Sequence, residues 1–557
     1  MTTGIAATFT FPIELSRETP FGLIEFYEVV FLRRKVTLSA RAKERLLETR
    51  GFVDYLLQQQ KPVYGLTTGF ADLRKCPVSA DHATQLSINI LRSHDAGIGK
   101  PLDPEVVLGA MLLAAHSLSM GYSAFKLESL QTLIGMINHR ILPEIPSSGS
   151  LGASGDLAFL ARLGRAMCGE EVAVTYDGKS LSAGDALIKA GIAPFRPGAK
   201  EGLALTNGTA FMTSMLAIGY IKEIHQLENI LALETLFLNT VSAVDAAYYE
   251  SLHHVRGQEG QKLVAKILST SFKDSPFIDR QGIQNDYSTR CLPQIFGPKI
   301  EAILSCYPPL RREMNAVTDN PLLFKDEEIS RDVEPDRILS HNGSKWMVVS
   351  GGNFHGEYLT TIADTIATAN VKIALTMERQ MTFLMNPWRN DQILPPYLIA
   401  DPKNTGLLSG FMIVQYTANA LAQKISALGQ PTSIYNLTSA NESEDVVSYG
   451  ATAAEKLLQQ QELLQELTTL FCTAILQAYA IQRNKSSPPP HLISERLFAF
   501  LQKGHRVKFP LEKDLPFSEI YEITQQSLLQ DTLRHLLHFP LMEALGLKKV
   551  FKQQGSF

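Results

Sequence analysis

The stretch SSGSLGASGDLA, residues 147–158, holds three glycines and four serines within nine residues and then continues into an apolar segment. Three interpretations fit such a composition: a flexible linker, a loop that cradles phosphate, or a backbone turn tight enough for its own amides to react. A Walker loop requires GxxxxGK[ST] and a dinucleotide loop requires GxGxxG, whereas the spacing here is GxxGxxG. A linker is disfavoured because DLAFLARLGRAM follows immediately as an amphipathic helix.

The third interpretation assigns chemistry to Ala153, Ser154 and Gly155. In a compressed turn, the Gly155 amide nitrogen can attack the Ala153 carbonyl carbon, and glycine suits this because it lacks a Cβ and tolerates unusual dihedral angles. Loss of water from the ring and from Ser154 would leave a methylidene-imidazolone, an electrophile built from main chain. Ala-Ser-Gly is also a frequent chance tripeptide and usually an ordinary turn, so these three residues by themselves leave both alternatives open.

Six further motifs accompany this run. They are YGLTTGF (64–70), EGLALTNGT (201–209), QNDYSTRCLPQ (284–294), NAVTDNPL (315–322), SGGNFHGE (350–357) and TSANESEDVVSYG (438–450). In type and order the set resembles the aromatic amino acid ammonia-lyases and 2,3-aminomutases, and it is most similar to the histidine type. The resemblance covers about residues 20–485. It implies that Ala153, Ser154 and Gly155 form a 4-methylidene-imidazol-5-one cofactor autocatalytically, with no metal or nucleotide.

The resemblance also implies which side chains react. The family removes an α-amino group together with a β-proton, which requires an electrophile for the amine and a positioned base for the proton. Tyr64 is the implied base and Tyr287 a second essential phenol near the electrophile, although the sequence does not rank the two. A tyrosine has an ordinary pKa of about 10, which must be lowered for it to act as a base near neutrality.

Four further residues are implied to bind rather than react. Arg290 would clamp the substrate carboxylate through two parallel charge-assisted hydrogen bonds. Asn207 and Gln284 would hydrogen-bond the carboxylate and the imidazolone oxygen. Phe354 would pack against the cofactor or the substrate ring, with an ordinary core phenylalanine as the alternative.

Two places bear on the substrate. In LRSHDAG, Ser93-His94 stands where the resembled histidine-type enzymes carry Ser-His, and Glu444, aligned backwards from Gly450, falls where they carry glutamate. A carboxylate can accept a hydrogen bond from an imidazole N–H, whereas an unpaired buried carboxylate beside a phenyl ring would cost several kcal/mol. We therefore predict a histidine ammonia-lyase that yields urocanate, with His94 and Glu444 in the substrate pocket.

Other positions depart from the family pattern and keep alternatives open. Thr67 and Ala71 stand where asparagine and glycine are usual, and one extra residue in TSANESEDVV makes the Glu444 match depend on gap placement. Arg92-Ser93-His94 also resembles some tyrosine aminomutases. A tyrosine or phenylalanine ammonia-lyase or 2,3-aminomutase is therefore the alternative within the same chemistry. A non-catalytic helical scaffold is the alternative of another class.

The elements that must position these residues are mostly helical. Long helices are predicted over 210–250 and 356–386, and residues 451–480 carry an apolar seam with a seven-residue repeat at Leu457, Leu464, Phe471 and Ala478. Strand signals are sparse, with one hairpin predicted in EVAVTYDGKSLS around the turn Asp177-Gly178. The resulting prediction is a mainly α protein: a long antiparallel helical bundle with a smaller mixed α/β N-terminal region.

Three segments are expected along the chain. Residues 1–205 would form the mixed region carrying the cofactor loop, residues 206–485 the central bundle, and residues 486–557 a small helical tail that follows the proline-rich break NKSSPPPH. Residues 325–346 resemble an insertion.

Composition narrows the class of protein. Of the 557 residues, 45% are apolar and 19% charged, which is typical of a soluble globular chain. The net charge of −4 and the lack of a long basic block give no support to nucleic acid as a partner. Five scattered cysteines without a CxxC pair, no recognisable signal peptide and no bilayer-length apolar run favour a cytoplasmic protein without a membrane partner. The family resemblance adds a small amino acid substrate and a homotetramer whose active sites are each built from three chains.

Overall fold

A computed structural model describes residues 9–59, 61–529 and 533 of the chain. In chain order the α-helices are α1 Leu23–Val30, α2 Ala40–Gln59, α3 Ala83–Ser93, α4 Pro104–Ser119, α5 Leu127–His139, α6 Leu157–Met167, α7 Ala183–Ala190, α8 Glu201–Thr206, α9 Ala210–Thr240, α10 Glu250–Arg256, α11 Glu259–Ser269, α12 Tyr287–Arg290, α13 Leu292–Ser305, α14 Tyr307–Glu313, α15 Glu357–Met385, α16 Met412–Leu428, α17 Gly450–Ser486, α18 Ile493–Lys503 and α19 Phe517–Leu529. The short strands are β1 Ile13–Leu15, β2 Val36–Leu38, β3 Ile98–Pro101, β4 Leu142–Pro143, β5 Pro146–Ser148, β6 Ala173–Tyr176, β7 Lys179–Ser182, β8 Leu322–Lys325, β9 Leu339–His341 and β10 Ser344–Val349. The prediction of a mainly helical fold is confirmed.

The central helices α9, α15 and α17 run in the same direction, which differs from the predicted antiparallel bundle. Asn370 on α15 bonds Glu223 on α9 at 2.9 Å, and Gln380 on α15 bonds Glu234 on α9 at 2.7 Å, so residue numbers rise together along both helices. Gln461 on α17 also donates to Glu223, at 2.8 Å. Long connections return the chain to the starting end between these helices, so no tight turn forces them to alternate in direction.

The bundle also contains a helix of the opposite direction. Gln415 of α16 donates to Thr382 of α15 at 2.9 Å, and Gly429, just after α16, lies against Val371 of α15, so the numbers run in opposite directions. The predicted antiparallel arrangement therefore describes α15 and α16, which are joined by a loop of 386–411. The parallel arrangement of α9, α15 and α17 places the N-termini of these three helices at one end of the bundle.

Two carboxyl groups lie inside the bundle with amide partners. Glu223 and Glu234 are both fully buried. Burial raises the pKa of Glu223 to about 7 and that of Glu234 to about 8, because a low-dielectric interior disfavours the charged form. Side-chain amides of neighbouring helices donate to both carboxyls and oppose this shift. These hydrogen bonds hold the helices in register.

The predicted seam lies in the core of the longest helix. Leu457, Leu464, Phe471 and Ala478 of α17 are all at most 1% exposed. The helix ends at Ser486, before the prolines 488–490, because proline lacks the amide hydrogen and restricts the residue that precedes it. The helix predicted over 210–250 is shorter than expected. It ends at Thr240, where Ser242 adopts a left-handed φ of 52° and the helical hydrogen bonds stop.

The N-terminal part mixes helices with small sheets, as predicted. Helix α4 is buried along nearly its whole length and packs against α9. Strands β6 and β7 form the predicted hairpin, and its turn residues Asp177 and Gly178 have φ values of 48° and 72°, as a two-residue hairpin turn requires.

The segment that resembles an insertion forms most of a separate sheet in the order β8-β10-β9. Its Trp346 ring stacks on Phe52 of α2 with centroids 4.5 Å apart, and Glu328 accepts hydrogen bonds from Arg45 of the same helix. The sheet is therefore held against the N-terminal region rather than free in solvent.

Of the predicted tail, α18 and α19 are helical. Residues 530–532 and 534–557 lie outside the described part of the chain. Within residues 9–59 and 61–529, no helix combines the length and apolar character needed to cross a lipid bilayer.

Candidate active site

The glycine-rich run lies where four helices begin. Residues 149–156 lead directly into α6, and they hydrogen-bond residues in the first turn of α9 and residues just before the start of α15 and α17. A helix N-terminus carries roughly half a unit of positive charge because its first amide hydrogens have no partners within the helix. Four such ends around one loop favour negative charge developing there.

Asp156 joins the loop to the start of α9. It is fully buried, and one carboxyl oxygen accepts hydrogen bonds from the amides of Phe211 and Met212 at 2.8 and 3.0 Å. The other oxygen accepts the Ser150 hydroxyl at 2.8 Å. Burial raises the pKa of Asp156 to about 7, although these three hydrogen bonds oppose the shift. The sequence placed Asp156 only at a helix start and did not predict this anchoring.

Two main-chain carbonyls of the run attach it to α15 and α17. The Gly152 carbonyl accepts hydrogen bonds from the Gly356 amide at 3.2 Å and from the Ser448 hydroxyl at 2.9 Å. The Leu151 carbonyl accepts the Tyr449 amide at 2.8 Å. The loop is therefore tied on both sides of its apex.

At the apex, Gly155 lies directly against Gly208. Its φ is 79°, and a Cβ added there would lie 2.1 Å from the Gly208 carbonyl oxygen. The Gly208 carbonyl accepts the Asp156 amide at 2.7 Å, while the Asn207 side chain donates to the Ser154 carbonyl at 2.7 Å. Only glycine fits at position 155, because any other residue would meet both backbone strain and a steric clash.

The two groups that cyclisation would join have no hydrogen-bond partner in the described part of the chain. Among residues 9–59 and 61–529, nothing hydrogen-bonds the Gly155 amide hydrogen or the Ala153 carbonyl oxygen, although both residues are buried. Buried main-chain polar groups are nearly always paired, so an unpaired nitrogen and an unpaired carbonyl two residues apart are unusual. The three residues therefore fit an imidazolone formed from their own backbone.

Glu444 lies against Ser154, the middle residue of the tripeptide that the sequence singled out. Its carboxylate accepts the Ser154 hydroxyl at 2.5 Å through one oxygen and the Ser439 hydroxyl at 2.6 Å through the other. Ser439 and Glu444 also exchange main-chain hydrogen bonds of 3.1 and 3.3 Å, which close the intervening loop. The gap placement that matched Glu444 thus leads to a residue that touches Ser154. Ser439 carried no recognisable signal in the sequence.

His94 and Tyr64 are connected by a row of aromatic rings. The Phe70 ring lies edge-on to both, with centroids 6.4 Å from His94 and 6.3 Å from Tyr64. Burial lowers the pKa of His94, while a hydrogen bond at the Ile90 backbone and the charge of Glu444 oppose that change. His94 and Glu444 are therefore close enough to interact.

The Tyr64 loop is shaped by its departures from the family pattern. The Ala71 amide donates to the Tyr64 hydroxyl oxygen at 3.0 Å, and Ala71 has a left-handed φ of 46° where the family usually has glycine. The Thr67 hydroxyl accepts from the Val63 amide at 2.8 Å and donates to the Lys61 carbonyl at 2.6 Å. The loop is thus ordered by substitute contacts, with the Tyr64 oxygen held by a main-chain donor.

Arg290 and Tyr287 pair with each other away from the loop. The Arg290 guanidinium carbon lies 4.7 Å from the centroid of the Tyr287 ring, and Tyr287 is 69% exposed. The Ser288 carbonyl accepts from Gln380, which lies 23 residues beyond the first residue of α15. At 1.5 Å per helical residue, this places the turn about 35 Å from the loop of the same chain. One chain therefore does not bring Tyr287 and Arg290 to its own Ser154.

The two remaining predicted residues, Phe354 and Gln284, also lie in different places, one near the loop and one far from it. Phe354 is half-buried two residues before Gly356, whose amide bonds the loop, so it lies beside the glycine-rich run. Gln284 is exposed and lies three residues before Tyr287, in the distant group. A single chain thus assembles the tripeptide, Asn207, Glu444, His94 and Tyr64.

Parallel helices whose N-termini meet at a tightly packed Ala-Ser-Gly turn define the class of this protein, a helical carbon–nitrogen lyase. The chain belongs to the aromatic amino acid lyase family, whose sequence profile matches residues 23–503. The resemblance inferred from the motifs is thereby confirmed.

Similar proteins cover most of the chain. Histidine ammonia-lyase of Natranaerobius thermophilus is 35% identical over 466 residues, which is 83% of this chain and 87% of that protein. Histidine ammonia-lyase of Alkaliphilus oremlandii is 38% identical over 427 residues, 76% of this chain and 79% of that protein.

Solved structures show the same fold. Histidine ammonia-lyase from Trypanosoma cruzi has a TM-score of 0.83 at 26% identity, covering 98% of this chain and 99% of that one. Phenylalanine aminomutase of Pantoea agglomerans also has a TM-score of 0.83, at 25% identity, covering 94% of this chain and all of that one. Lyases and aminomutases therefore share this architecture, and overall shape does not separate them.

Proposed function

We propose that this protein eliminates ammonia from L-histidine to give urocanate, using a 4-methylidene-imidazol-5-one formed from Ala153, Ser154 and Gly155. The observation that carries the choice of histidine is the Glu444 carboxylate, 2.5 Å from the Ser154 hydroxyl and near His94. A carboxylate beside the reacting loop suits a substrate with an imidazole N–H to donate. The curated relatives reported above, which are histidine ammonia-lyases, support the same choice.

The chain's own residues then divide the work of the reaction. When formed, the imidazolone supplies an electrophile for the substrate amine. Tyr64 takes the β-proton, since its oxygen is already positioned by the Ala71 amide. Asn207, which holds the Ser154 carbonyl, keeps the corresponding ring oxygen in place. Glu444 and His94 orient the imidazole of the substrate, and Phe354 packs beside the glycine-rich run, just before α15 begins.

Substrate choice is tested by incubating the full-length protein with histidine, tyrosine and phenylalanine in parallel and identifying the products. We expect urocanate, with kcat/KM for histidine at least about 100-fold above the other two, because a phenyl ring has no N–H to donate to Glu444 Oε1 and the hydroxyl of a phenol projects farther out than an imidazole N–H. A cinnamate-type acid or a β-amino acid as the main product would instead indicate a tyrosine or phenylalanine lyase or aminomutase. A protein with the full encoded mass and no turnover would indicate a non-catalytic scaffold.

We further propose that the active protein is a homotetramer in which different copies complete each site. The support is the position of Tyr287 and Arg290, about 35 Å along α15 from the loop of their own chain. The same region exposes large apolar side chains that a second copy would cover, including Ile283 at 95% and Trp388 at 86%. Arg290 would reach the substrate carboxylate from a neighbouring copy, with Tyr287 as the second phenol and Gln284 as a hydrogen-bonding partner.

Shared sites predict that two inactive chains rescue each other. Chains with Ser154→Ala and chains with Arg290→Ala are each expected to be almost inactive, but their co-expression should restore activity at about a quarter of the sites, because random mixing pairs intact residues from different copies. The measurement is histidine turnover per purified tetramer.

The matched control pairs Ser154→Ala chains with chains that carry both substitutions, which leaves no complete site in any arrangement. Recovery in the first mixture but not in this control is the expected pattern. Equal turnover in both mixtures would show that each site lies within one chain.

A further inference from the structure

We propose that Glu444 has an earlier task, as the catalytic group that moves the proton during dehydration of Ser154, and thereby completes the electrophile. This inference rests on the proposed function, because it concerns how the same tripeptide matures. It assigns Glu444 a role in a step that takes place before any substrate binds. The step is a self-processing reaction of the folded chain.

The first support is the contact with the atom that must leave. Residue 154 is encoded as a serine, and its hydroxyl donates to Glu444 Oε1 at 2.5 Å. This is a short, charge-assisted hydrogen bond to the oxygen that dehydration expels. Ser154 and Glu444 are 290 residues apart in the chain, so the contact is a product of the tertiary fold.

The second support is the way the carboxylate is held. The Ser439 hydroxyl donates to the other oxygen, Oε2, at 2.6 Å, and two main-chain hydrogen bonds between Ser439 and Glu444 close the loop. Inside that loop Ala440, Asn441 and Glu442 have left-handed φ values of 48°, 54° and 65°. Non-glycine residues adopt this conformation at an energetic cost, and such strain is concentrated at functional positions. The loop therefore presents Oε1 to Ser154 in one orientation.

The third support is that the neighbouring carboxyl group has other partners. Asp156 lies two residues from Ser154, but its oxygens accept the Ser150 hydroxyl and the amides of Phe211 and Met212. Among the side chains of the described residues, Glu444 is the carboxylate that hydrogen-bonds the Ser154 hydroxyl. The proton transfer is therefore assigned to Glu444.

The chemistry balances without any added reagent. Ring closure joins the Gly155 nitrogen to the Ala153 carbonyl carbon. The Ala153 oxygen leaves as the first water with one hydrogen from the Gly155 nitrogen and one from the Ser154 nitrogen, and a C=N double bond forms between the Ala153 carbonyl carbon and the Ser154 nitrogen. The Cα hydrogen of Ser154 is then flanked by a carbonyl carbon and a C=N nitrogen, which makes it acidic. Glu444 takes this proton, and the electron pair of the broken Cα–H bond forms the Cα=Cβ double bond. The Cβ–Oγ bond breaks, the proton passes from Glu444 to the departing oxygen, and the second water leaves with the carboxylate restored.

The test measures mass rather than turnover. Wild-type protein is expected to be about 36 Da lighter than the encoded chain, the mass of two waters, whereas Glu444→Gln should remain about 18 to 36 Da heavier than its fully matured form. A time course of the intact mass, started directly after rapid purification, gives the rate of water loss. We expect this rate to fall at least about 100-fold in Glu444→Gln, which is within the range of acid–base catalysis.

The matched control is Glu442→Gln, an exposed glutamate in the same loop, which should mature at the wild-type rate. Glu444→Gln that loses two waters as fast as Glu442→Gln would overturn the inference. Thermal unfolding checks that the variants fold. If Glu444→Gln does not fold, Ser439→Ala is decisive, since it keeps the carboxylate but releases Oε2: slowed maturation supports the inference and an unchanged rate overturns it.

The same masses separate this inference from the proposed function. Wild-type protein with its full encoded mass would refute the proposed function itself. Wild-type and Glu444→Gln proteins that mature equally, with histidine turnover lost only in the variant, would overturn the maturation role and leave the substrate role of Glu444 intact. Turnover of every variant is therefore expressed per matured chain.

Discussion

Replacing Ser154 by alanine is expected to lower histidine turnover by at least about 1,000-fold, because alanine keeps the Cβ but has no hydroxyl to eliminate, so the proposed electrophilic methylidene group cannot form. The mass deficit should fall from two waters to at most one, since alanine has no hydroxyl to lose. Stability should change by no more than about 1 kcal/mol, because the matured protein no longer has this hydroxyl either. Steady-state kinetics, intact mass and urea unfolding together measure these three effects.

A serine in the same run provides the control. Ser148 ends strand β5 on the exposed side of the loop, and Ser148→Ala should retain both the two-water deficit and turnover. If Ser154→Ala kept more than a small percentage of wild-type turnover, the electrophile would have to come from another group and the proposed chemistry would be wrong.

Replacing Gly155 by alanine is expected to prevent maturation by a different route. The added Cβ would lie 2.1 Å from the Gly208 carbonyl oxygen, and the φ of 79° disfavours any side chain. The turn must open to relieve this clash, which moves the Gly155 nitrogen away from the Ala153 carbonyl. We expect the full encoded mass of the variant, turnover reduced at least about 1,000-fold, and a loss of stability of about 1 to 3 kcal/mol from overpacking.

The control Gly178→Ala separates the steric clash of an added Cβ from the energetic cost of a left-handed backbone conformation. Gly178 has a similar φ of 72°, but nothing lies within 4 Å of an added Cβ. This variant should lose about 1 kcal/mol of stability and still mature completely. If Gly155→Ala also lost two waters, ring closure would not depend on the close approach to Gly208.

Local sequence was sufficient for features that depend on neighbouring residues. The seven-residue seam of α17 is buried as predicted, since apolar spacing determines which face of a helix leaves water. The hairpin at Asp177-Gly178 formed as predicted, because few residue pairs adopt two left-handed conformations in succession. The seven motifs identified the family, and the family profile covers residues 23–503.

Local sequence patterns could not predict contacts between residues that are far apart in the chain. The parallel direction of α9, α15 and α17 follows from long connections, and periodicity within a helix carries no information about its direction. The anchoring role of Asp156 and the contact of Ser439 with Glu444 depend on partners that only the folded chain brings near.

The sequence by itself identified the Ala-Ser-Gly turn as the candidate reactive segment and located the long helices along the chain, because both depend on residue type and on spacing over a few turns. Only the tertiary structure decided that Glu444 meets Ser154 across 290 residues and that Tyr287 and Arg290 lie far along α15. The physical reason is that side-chain spacing determines local conformation, whereas the packing of whole helices against one another sets where their ends and loops meet.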